Sequence, residues 1–260
     1  MHIGCRAFFL PKVERTIEEY EDAFCPRGNA QSRSFNEDGE TDLFRCAVAD
    51  GASESLFSGL WARLLVQGYG DGSWAEGLCA EDLVGAQRTW QEFVDGRDLP
   101  WYAEEKVQFG AFAAIVGLTV NASHLWTAVA IGDSCLFHVR GTELISSFPL
   151  TQAHQFEHLP YLLCSKAERN ESAFARKEVR ADCLWEDGDN FLLMSDAISL
   201  WLVRKMEEGS AQEALQVLAS LADESAFDTF VGEERLKEHS SGTRYLKDDD
   251  TTLMRITVTG

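Results

Sequence analysis

The chain has 260 residues, of which 45% are apolar and 11% aromatic, so it can bury a hydrophobic core as a folded globular protein. Its 43 acidic and 23 basic residues give a net charge of −20, which argues against nucleic acid or an anionic membrane surface as a partner. Composition leaves two explanations of this acidity open: a metal site that neutralises clustered carboxylates, or a solvated acidic surface.

The seven cysteines are odd in number and widely spaced, and they form no CxxC pair of the kind that holds zinc or performs redox chemistry. No apolar stretch approaches the roughly 20 residues that span a bilayer, and the N-terminus turns polar too soon for a signal peptide. These features predict a soluble cytoplasmic protein.

Short apolar runs alternate with segments of helical spacing along the chain. Strands are predicted at residues 5–10, 43–50, 112–120, 124–133, 134–141, 189–196 and 252–258. Helices are predicted at residues 53–69, 76–95, 197–207 and 210–222. Ser53 is the candidate N-cap of the first helix, since serine hydroxyls accept hydrogen bonds from orphan backbone donors there.

The order of the elements favours an α+β fold over a doubly wound parallel sheet. Tight connections join the three strands at 112–120, 124–133 and 134–141, which predicts an antiparallel meander with helices before and after it. The absence of a linker or repeat predicts a single domain over residues 1–260. Residues 148–182 fit neither period and are predicted to be a loop-rich insertion over one end of the sheet.

Three aspartates end or precede apolar strands: Asp50, Asp196 and Asp249. A carboxylate at a strand end is held rigidly yet faces a cleft, as a metal ligand must be. Gly51 lets the backbone turn so that its carbonyl can also approach a cation. Oxygen ligands favour a hard ion, Mg²⁺ or Mn²⁺. Taken singly, Asp50 and Asp196 are better explained by a solvated strand end or a helix N-cap, and the triplet Asp248–Asp250 by a polar turn before the last strand.

Five motifs together resemble the metal-dependent serine/threonine protein phosphatases of the 2C type (PP2C, or PPM), as a divergent bacterial-like member. The motifs are R-S-F-N-E-D at 33–38, A-V-A-D-G at 47–51, A-I-G-D-S at 130–134, L-L-M-S-D at 192–196 and D-D-T-T at 249–252. Each is weak alone, but they follow the family's order over nearly the whole chain. The resemblance implies a four-layer αββα sandwich, with two antiparallel sheets flanked by helices and a binuclear Mn²⁺ or Mg²⁺ centre at one end.

The same resemblance assigns metal-binding roles by position. Asp50 would bridge both metals as the central catalytic carboxylate, and the Gly51 carbonyl would bind the second metal. Asp196 and Asp249 would hold the first metal. Asp133 matches a residue that helps bind a weak third ion in some members, although it could equally shape its hairpin turn.

Three further roles come from the first motif. Glu37 and Asp38 would bind metal-coordinated water, and Arg33 would hold the phosphate, for which a guanidinium fork is well suited. The chain departs from the family at Ala52, where many members have a histidine proposed to protonate the leaving group. It also has Ala197 in place of a glycine.

The implied activity is metal-dependent hydrolysis of phosphoserine or phosphothreonine in a protein substrate, in cytoplasmic signalling opposite a serine/threonine kinase. Two cations roughly 4 Å apart acidify a bridging water, which then attacks phosphorus. Two alternatives stay open: a pseudophosphatase that acts as a binding or regulatory module, and a phosphatase of small phosphorylated metabolites.

Overall fold

The computed structural model of the chain describes residues 1–27, 33–74, 78–239 and 242–260. The strands are β1 (His2–Leu10), β2 (Ala23–Cys25), β3 (Ser34–Glu40), β4 (Leu43–Gly51), β5 (Phe112–Asn121), β6 (Leu125–Ile131), β7 (Cys135–Arg140), β8 (Glu143–Phe148), β9 (Leu163–Cys164), β10 (Glu178–Leu184), β11 (Asp189–Met194) and β12 (Thr251–Thr259). The helices are α1 (Ser58–Gly70), α2 (Val84–Asp95), α3 (Trp101–Phe109), α4 (Glu171–Ala175), α5 (Asp196–Glu207), α6 (Ala211–Ser220) and α7 (Glu224–Leu236).

Within these residues the strands form two antiparallel sheets. The first sheet has the order β3-β1-β12-β11-β7-β8, and the second has the order β10-β6-β5-β4-β2, with β9 paired to β5. Helices α1 and α2 cover the outer face of the second sheet, and α5 to α7 cover that of the first. This arrangement confirms the predicted αββα sandwich.

Side chains that alternate in direction along each strand separate the core between the sheets from the core under the helices. On β4, Cys46 and Val48 face the core between the sheets, whereas Ala47 and Ala49 face α1. Successive side chains of a strand point to opposite faces, so a strand covered on both sides is apolar throughout. The small alanines leave room for the fully buried Trp61 of α1, whose indole N–H donates to the Leu163 carbonyl at 2.8 Å.

The predicted meander is only half correct. Strands β5 and β6 pair antiparallel as expected, but β7 leaves that sheet and pairs with β11 and β8 in the other. Gly132 makes the crossing possible at φ +101°, where a Cβ would lie 2.5 Å from the Ala114 side chain. The turn therefore joins the two sheets and places Asp133 at their common edge.

The first predicted helix starts later than its sequence suggested. Helix α1 begins at Ser58, with Phe57 in the N-cap position at φ 60°, so Ser53 is not its cap. The Ser53 hydroxyl instead donates to Glu21 at 2.6 Å.

Helices α5 and α6 lie close to their predicted positions, whereas α3 and α7 were not predicted. Of the segment predicted at 76–95, residues 76 and 77 lie outside the described residues, and α2 begins at Val84. Residues 148–182 contain β9, α4 and most of β10, which the sequence did not predict. No helix in the described part of the chain combines the length and apolarity needed to cross a membrane.

Candidate metal centre

Five aspartates converge at one edge of the sandwich because the strands that carry them end or begin there. They are Asp22 before β2, Asp50 in β4, Asp133 between β6 and β7, Asp196 at the start of α5, and Asp249 before β12. We call them the aspartate cluster. Their negative charges act on one another, and each of Asp22, Asp50, Asp133 and Asp249 has a pKa raised partly by other aspartates. The predicted residues Asp50, Asp133, Asp196 and Asp249 are thus brought together.

Asp50 lies at the centre of the cluster. Burial raises the pKa of its carboxyl well above the usual range, and the charges of Asp22 and Asp196 raise it further. Its Oδ2 accepts a hydrogen bond from the Asp196 backbone N–H at 3.4 Å, which links the two sheets. The position after it requires glycine, since a Cβ on Gly51 would lie 2.6 Å from the Glu21 carbonyl oxygen.

Asp196 begins helix α5, where a carboxylate also interacts favourably with the helix dipole. Only 9% of the residue is exposed, and its Oδ1 has no hydrogen-bond partner. Its Oδ2 accepts from Lys247 Nζ at 3.0 Å. Burial lowers the pKa of Lys247, but the negative charges of Asp196 and Asp133 outweigh it and the net shift is upward.

Asp133 occupies the turn that crosses between the sheets. Burial raises its pKa to about 7, with a further contribution from the charge of Asp196. Its backbone carbonyl accepts from the Cys135 thiol at 3.4 Å. Its carboxyl is thus near enough to Asp196 and Asp249 for their charges to raise its pKa.

The three aspartates before β12, Asp248 to Asp250, make different contacts. Asp249 belongs to the aspartate cluster, and burial raises its pKa, followed by the charge of Asp196. The buried Asp250 instead accepts from the backbone N–H groups of Lys12 at 2.9 Å and Glu21 at 2.6 Å. Asp248 accepts from the Val13 N–H at 3.0 Å. The choice of Asp249 as the cluster member agrees with this geometry.

Asp22 is the member that the sequence did not reveal. It is 1% exposed, its Oδ2 accepts from the Thr252 hydroxyl at 2.6 Å, and its Oδ1 has no partner. Burial raises its pKa well above the usual range, and Asp250 adds to the shift. The available signal was the Glu21-Asp22 pair before the apolar run Ala23–Cys25, a strand too short to predict.

Glu37 and Asp38, predicted to bind metal-coordinated water, lie elsewhere. Both belong to β3, the edge strand of the first sheet, where Asp38 is opposite Gly4 and Gly4 is opposite Thr257. Thr257 is six residues from the cluster end of β12, or roughly 20 Å at the usual rise per residue. Asp38 forms an exposed ion pair with His2 at 3.2 Å. The Glu-Asp pair at the site is instead Glu21-Asp22.

Arg33 also differs from its predicted role of holding phosphate. Its guanidinium donates two hydrogen bonds to Asp228 of α7, at 2.7 and 2.6 Å. This bidentate pair uses the fork that a phosphate would need and ties the residue to the outer helical layer. Arg33 comes from the same motif as Glu37 and Asp38, and its role in holding phosphate stays a prediction that these contacts do not support.

Lys12 places a cation beside the cluster. Its Nζ donates to Ser53 Oγ at 2.6 Å and to Glu21 Oε2 at 3.1 Å, and it lies 3.9 Å from Asp249 Oδ1. The Ser58 hydroxyl donates to Glu21 Oε1 at 2.7 Å, which holds the carboxylate in place. Among the described residues near the cluster, Lys12 and Lys247 are cations with direct contacts to its carboxylates.

The donor set fits a hard divalent cation. Two buried carboxylate oxygens, on Asp22 and Asp196, have no partner, and the mutual repulsion of the aspartates would be offset by positive charge. No three His, Cys, Asp or Glu side chains in residues 1–27, 33–74, 78–239 and 242–260 already form a metal-binding group. Metal binding would therefore require these side chains to move closer together.

Comparison with known proteins defines the class of the fold. No protein-family model matches the sequence, and no curated protein does. The fold is that of solved serine/threonine phosphatases, which confirms the 2C type resemblance at the level of the fold.

Three solved structures illustrate the likeness. A bacterial serine phosphatase has 13% identity, with 98% of each chain covered and a TM-score of 0.56. The PstP/Ppp phosphatase of Mycobacterium tuberculosis has 14% identity, full coverage of both chains and a TM-score of 0.54, and a PstP catalytic domain in complex with two manganese ions scores 0.53 at 13% identity. The photosystem II phosphatase PBCP has 17% identity, 99% coverage of each chain and a TM-score of 0.54.

Proposed function

We propose that this chain is a metal-dependent phosphatase that hydrolyses phosphoserine or phosphothreonine in a protein substrate. The observation that carries the proposal is the aspartate cluster itself. Five aspartates from both sheets meet at one edge of a fold shared with solved phosphatases, and two of them present buried oxygens without partners. Burying so many like charges is costly unless cations neutralise them.

The aspartate cluster supplies the residues that would hold two Mn²⁺ or Mg²⁺ ions. Asp50 is central and would be shared between the ions, with the Gly51 carbonyl beside it. Asp196 and Asp249 would complete one position, and Asp22 would take the role predicted for Glu37 and Asp38. Asp133 would serve a third, weaker ion. The PstP complex with two manganese ions supports this count.

When bound, the ions supply an acidified water as nucleophile and offset the charge of the phosphate. The chain itself must orient the substrate and bind its oxygens. Lys12 is placed for this task because its ammonium lies at the rim of the cluster, 3.9 Å from Asp249 Oδ1, whereas Arg33 is held by Asp228. Glu21 and Ser53 fix the ammonium by hydrogen bonds, so little order is lost when phosphate arrives.

A cleft next to this rim suits a peptide substrate. It has a volume of about 330 Å³ and is lined in part by Arg15, Arg63, Phe57 and Ser53. Glu18, Glu19 and Glu21 also line the cleft, and Arg15 is paired with Glu19 at 2.6 Å. Arg63 would contact an acidic group of a phosphopeptide, and Phe57 offers apolar contact. A phosphoprotein made by a serine/threonine kinase is therefore the proposed substrate, and a small phosphorylated metabolite would use little of this surface.

The first test measures hydrolysis of p-nitrophenyl phosphate and of a phosphothreonine peptide with and without Mn²⁺. We expect turnover that requires Mn²⁺, falls at least 100-fold in Asp50→Asn, and is unchanged in the matched control Glu37→Gln. Faster turnover of the small ester than of the peptide would favour a metabolite phosphatase. No turnover by folded protein would refute the catalytic proposal and leave a regulatory binding module.

The second test separates Lys12 from Arg33. We expect Lys12→Gln to raise KM about tenfold and to weaken inhibition by inorganic phosphate, while Mn²⁺ affinity stays within twofold. Arg33→Gln should leave KM unchanged and lower stability, because Asp228 loses its partner. Equal KM values for Lys12→Gln and the parent protein would contradict the assignment.

A further inference from the structure

The ammonium group of Lys247 touches the aspartate cluster in a way that the phosphatase resemblance does not assign. Lys247 lies in the segment before β12, and its Nζ is 3.0 Å from Asp196 Oδ2. Its side chain is 43% exposed, whereas that of Asp196 is 13% exposed. The ammonium therefore approaches a buried carboxylate from the solvent side, at Oδ2, beside the unpartnered Oδ1 of the same group.

The backbone around Lys247 is fixed on both sides. Leu246 is fully buried in the core under α5 to α7, and Asp250 is held by the backbone N–H groups of Lys12 and Glu21. The lysine side chain has four rotatable bonds and reaches solvent, so its ammonium can leave Asp196 by rotation alone. No movement of the anchored segment is needed.

We infer that Lys247 is a tethered counter-ion that occupies one cation position of the aspartate cluster and is displaced when a divalent ion binds. In metal-free protein it neutralises part of the charge of Asp196. On loading, a divalent ion would bind the same carboxylate, and the ammonium would turn into solvent. The lysine thus sets the metal concentration at which the site fills, an inference that rests on the proposed metal centre.

The energetics favour such an exchange. A half-exposed lysine–carboxylate pair contributes modestly, because water screens the charges and the long side chain loses entropy. A divalent ion carries twice the charge and can bind several aspartates at once. At sufficient concentration the divalent ion therefore displaces the ammonium, but competition from the ammonium weakens the apparent affinity for the ion.

The test is Mn²⁺ binding by isothermal titration calorimetry to the parent protein, Lys247→Met and Lys247→Arg. We expect Lys247→Met to lower the Kd for Mn²⁺ about tenfold, equal to about 1.4 kcal/mol, and Lys247→Arg to stay within twofold of the parent. Lys237→Met is the matched control. It removes the same charge from a pair with Glu234 on α7 and should leave the Kd unchanged.

A second readout distinguishes a counter-ion from a merely structural lysine. In excess EDTA, Lys247→Met should unfold at lower urea than the parent while it binds Mn²⁺ more tightly. Lower stability with an unchanged or higher Kd would overturn the inference, as would an unchanged urea midpoint. Absence of Mn²⁺ binding in the parent would overturn the proposed metal centre as well, whereas equal tight binding by both proteins overturns only the role of Lys247.

Discussion

Replacing the carboxylate of Asp22 or of Asp38 by an amide tests which Glu-Asp pair belongs to the proposed metal centre. Asp22→Asn and Asp38→Asn are the same chemical change at two positions. Asp22 is 1% exposed beside Thr252, whereas the side chain of Asp38 is 66% exposed on the edge strand β3. We expect Asp22→Asn to weaken Mn²⁺ binding about 100-fold and Asp38→Asn to change it less than twofold.

The magnitude follows from distance and dielectric. Across roughly 20 Å of water, the charge of Asp38 interacts with a divalent ion by about 0.4 kcal/mol, and salt screens most of that. At a contact distance of about 4 Å near a protein surface, each unit charge contributes about 4 kcal/mol before desolvation is subtracted. A net loss of about 2.7 kcal/mol, or 100-fold, is a conservative expectation for Asp22→Asn.

The assay is Mn²⁺ titration by calorimetry together with hydrolysis of p-nitrophenyl phosphate. Circular dichroism should show that both variants are folded. If Asp38→Asn loses as much metal affinity as Asp22→Asn, the assignment of Asp22 and the register of β3 are both wrong. Unchanged affinity in Asp22→Asn would refute its place in the metal centre.

Two predictions concern stability. Burial opposes ionisation of Asp189, but hydrogen bonds from Arg140 outweigh it and lower its pKa to about 2 from 3.8. The ionised carboxylate therefore adds about 2 kcal/mol to the free energy of unfolding at neutral pH, and this contribution is lost as the pH falls from about 4 to 2. The difference in urea midpoint between Asp189→Asn and the parent should shrink over that pH range. Gly51→Ala should cost about 2 kcal/mol in urea unfolding because its Cβ meets the Glu21 carbonyl, while Gly39→Ala, with no atom within 4 Å, should stay within about 0.5 kcal/mol. Equal effects of the two glycine changes would contradict the close approach at Gly51.

The sequence was sufficient for the layered fold and for the aspartates at long strands. Asp50 and Asp196 come after uninterrupted apolar runs of four residues, Cys46–Ala49 and Phe191–Met194, and this pattern is strong because both faces of the strands are buried there. Asp22 precedes a strand of only three residues, which gives no pattern to detect. The Glu-Asp pair at 37–38 in R-S-F-N-E-D matches the family motif by sequence. The pairing of β3 with β1 at the sheet edge places it away from the aspartate cluster.

The exchange of β7 between sheets shows a second limit of pattern reasoning. Strands β6 and β7 are both nearly continuous apolar runs joined by a tight turn, and the same pattern fits a hairpin or a crossing. Tertiary packing decides between them. Here Gly132 lies close against Ala114, which directs the chain across the sandwich.

The crossing at Asp133 has a mechanical meaning for the whole sandwich. Asp22 and Asp50 belong to one sheet, Asp196 and Asp249 to the other, and Asp133 lies on the link between them. A cation shared by Asp50 and Asp196 would add a strong link between two sheets whose contact in the described residues is mainly apolar, with the Asp196–Asp50 and Thr252–Asp22 hydrogen bonds at this edge. Sliding of one sheet over the other and loss of the ion would then be a single event. The availability of metal would set how stiff the molecule is as well as how fast it works.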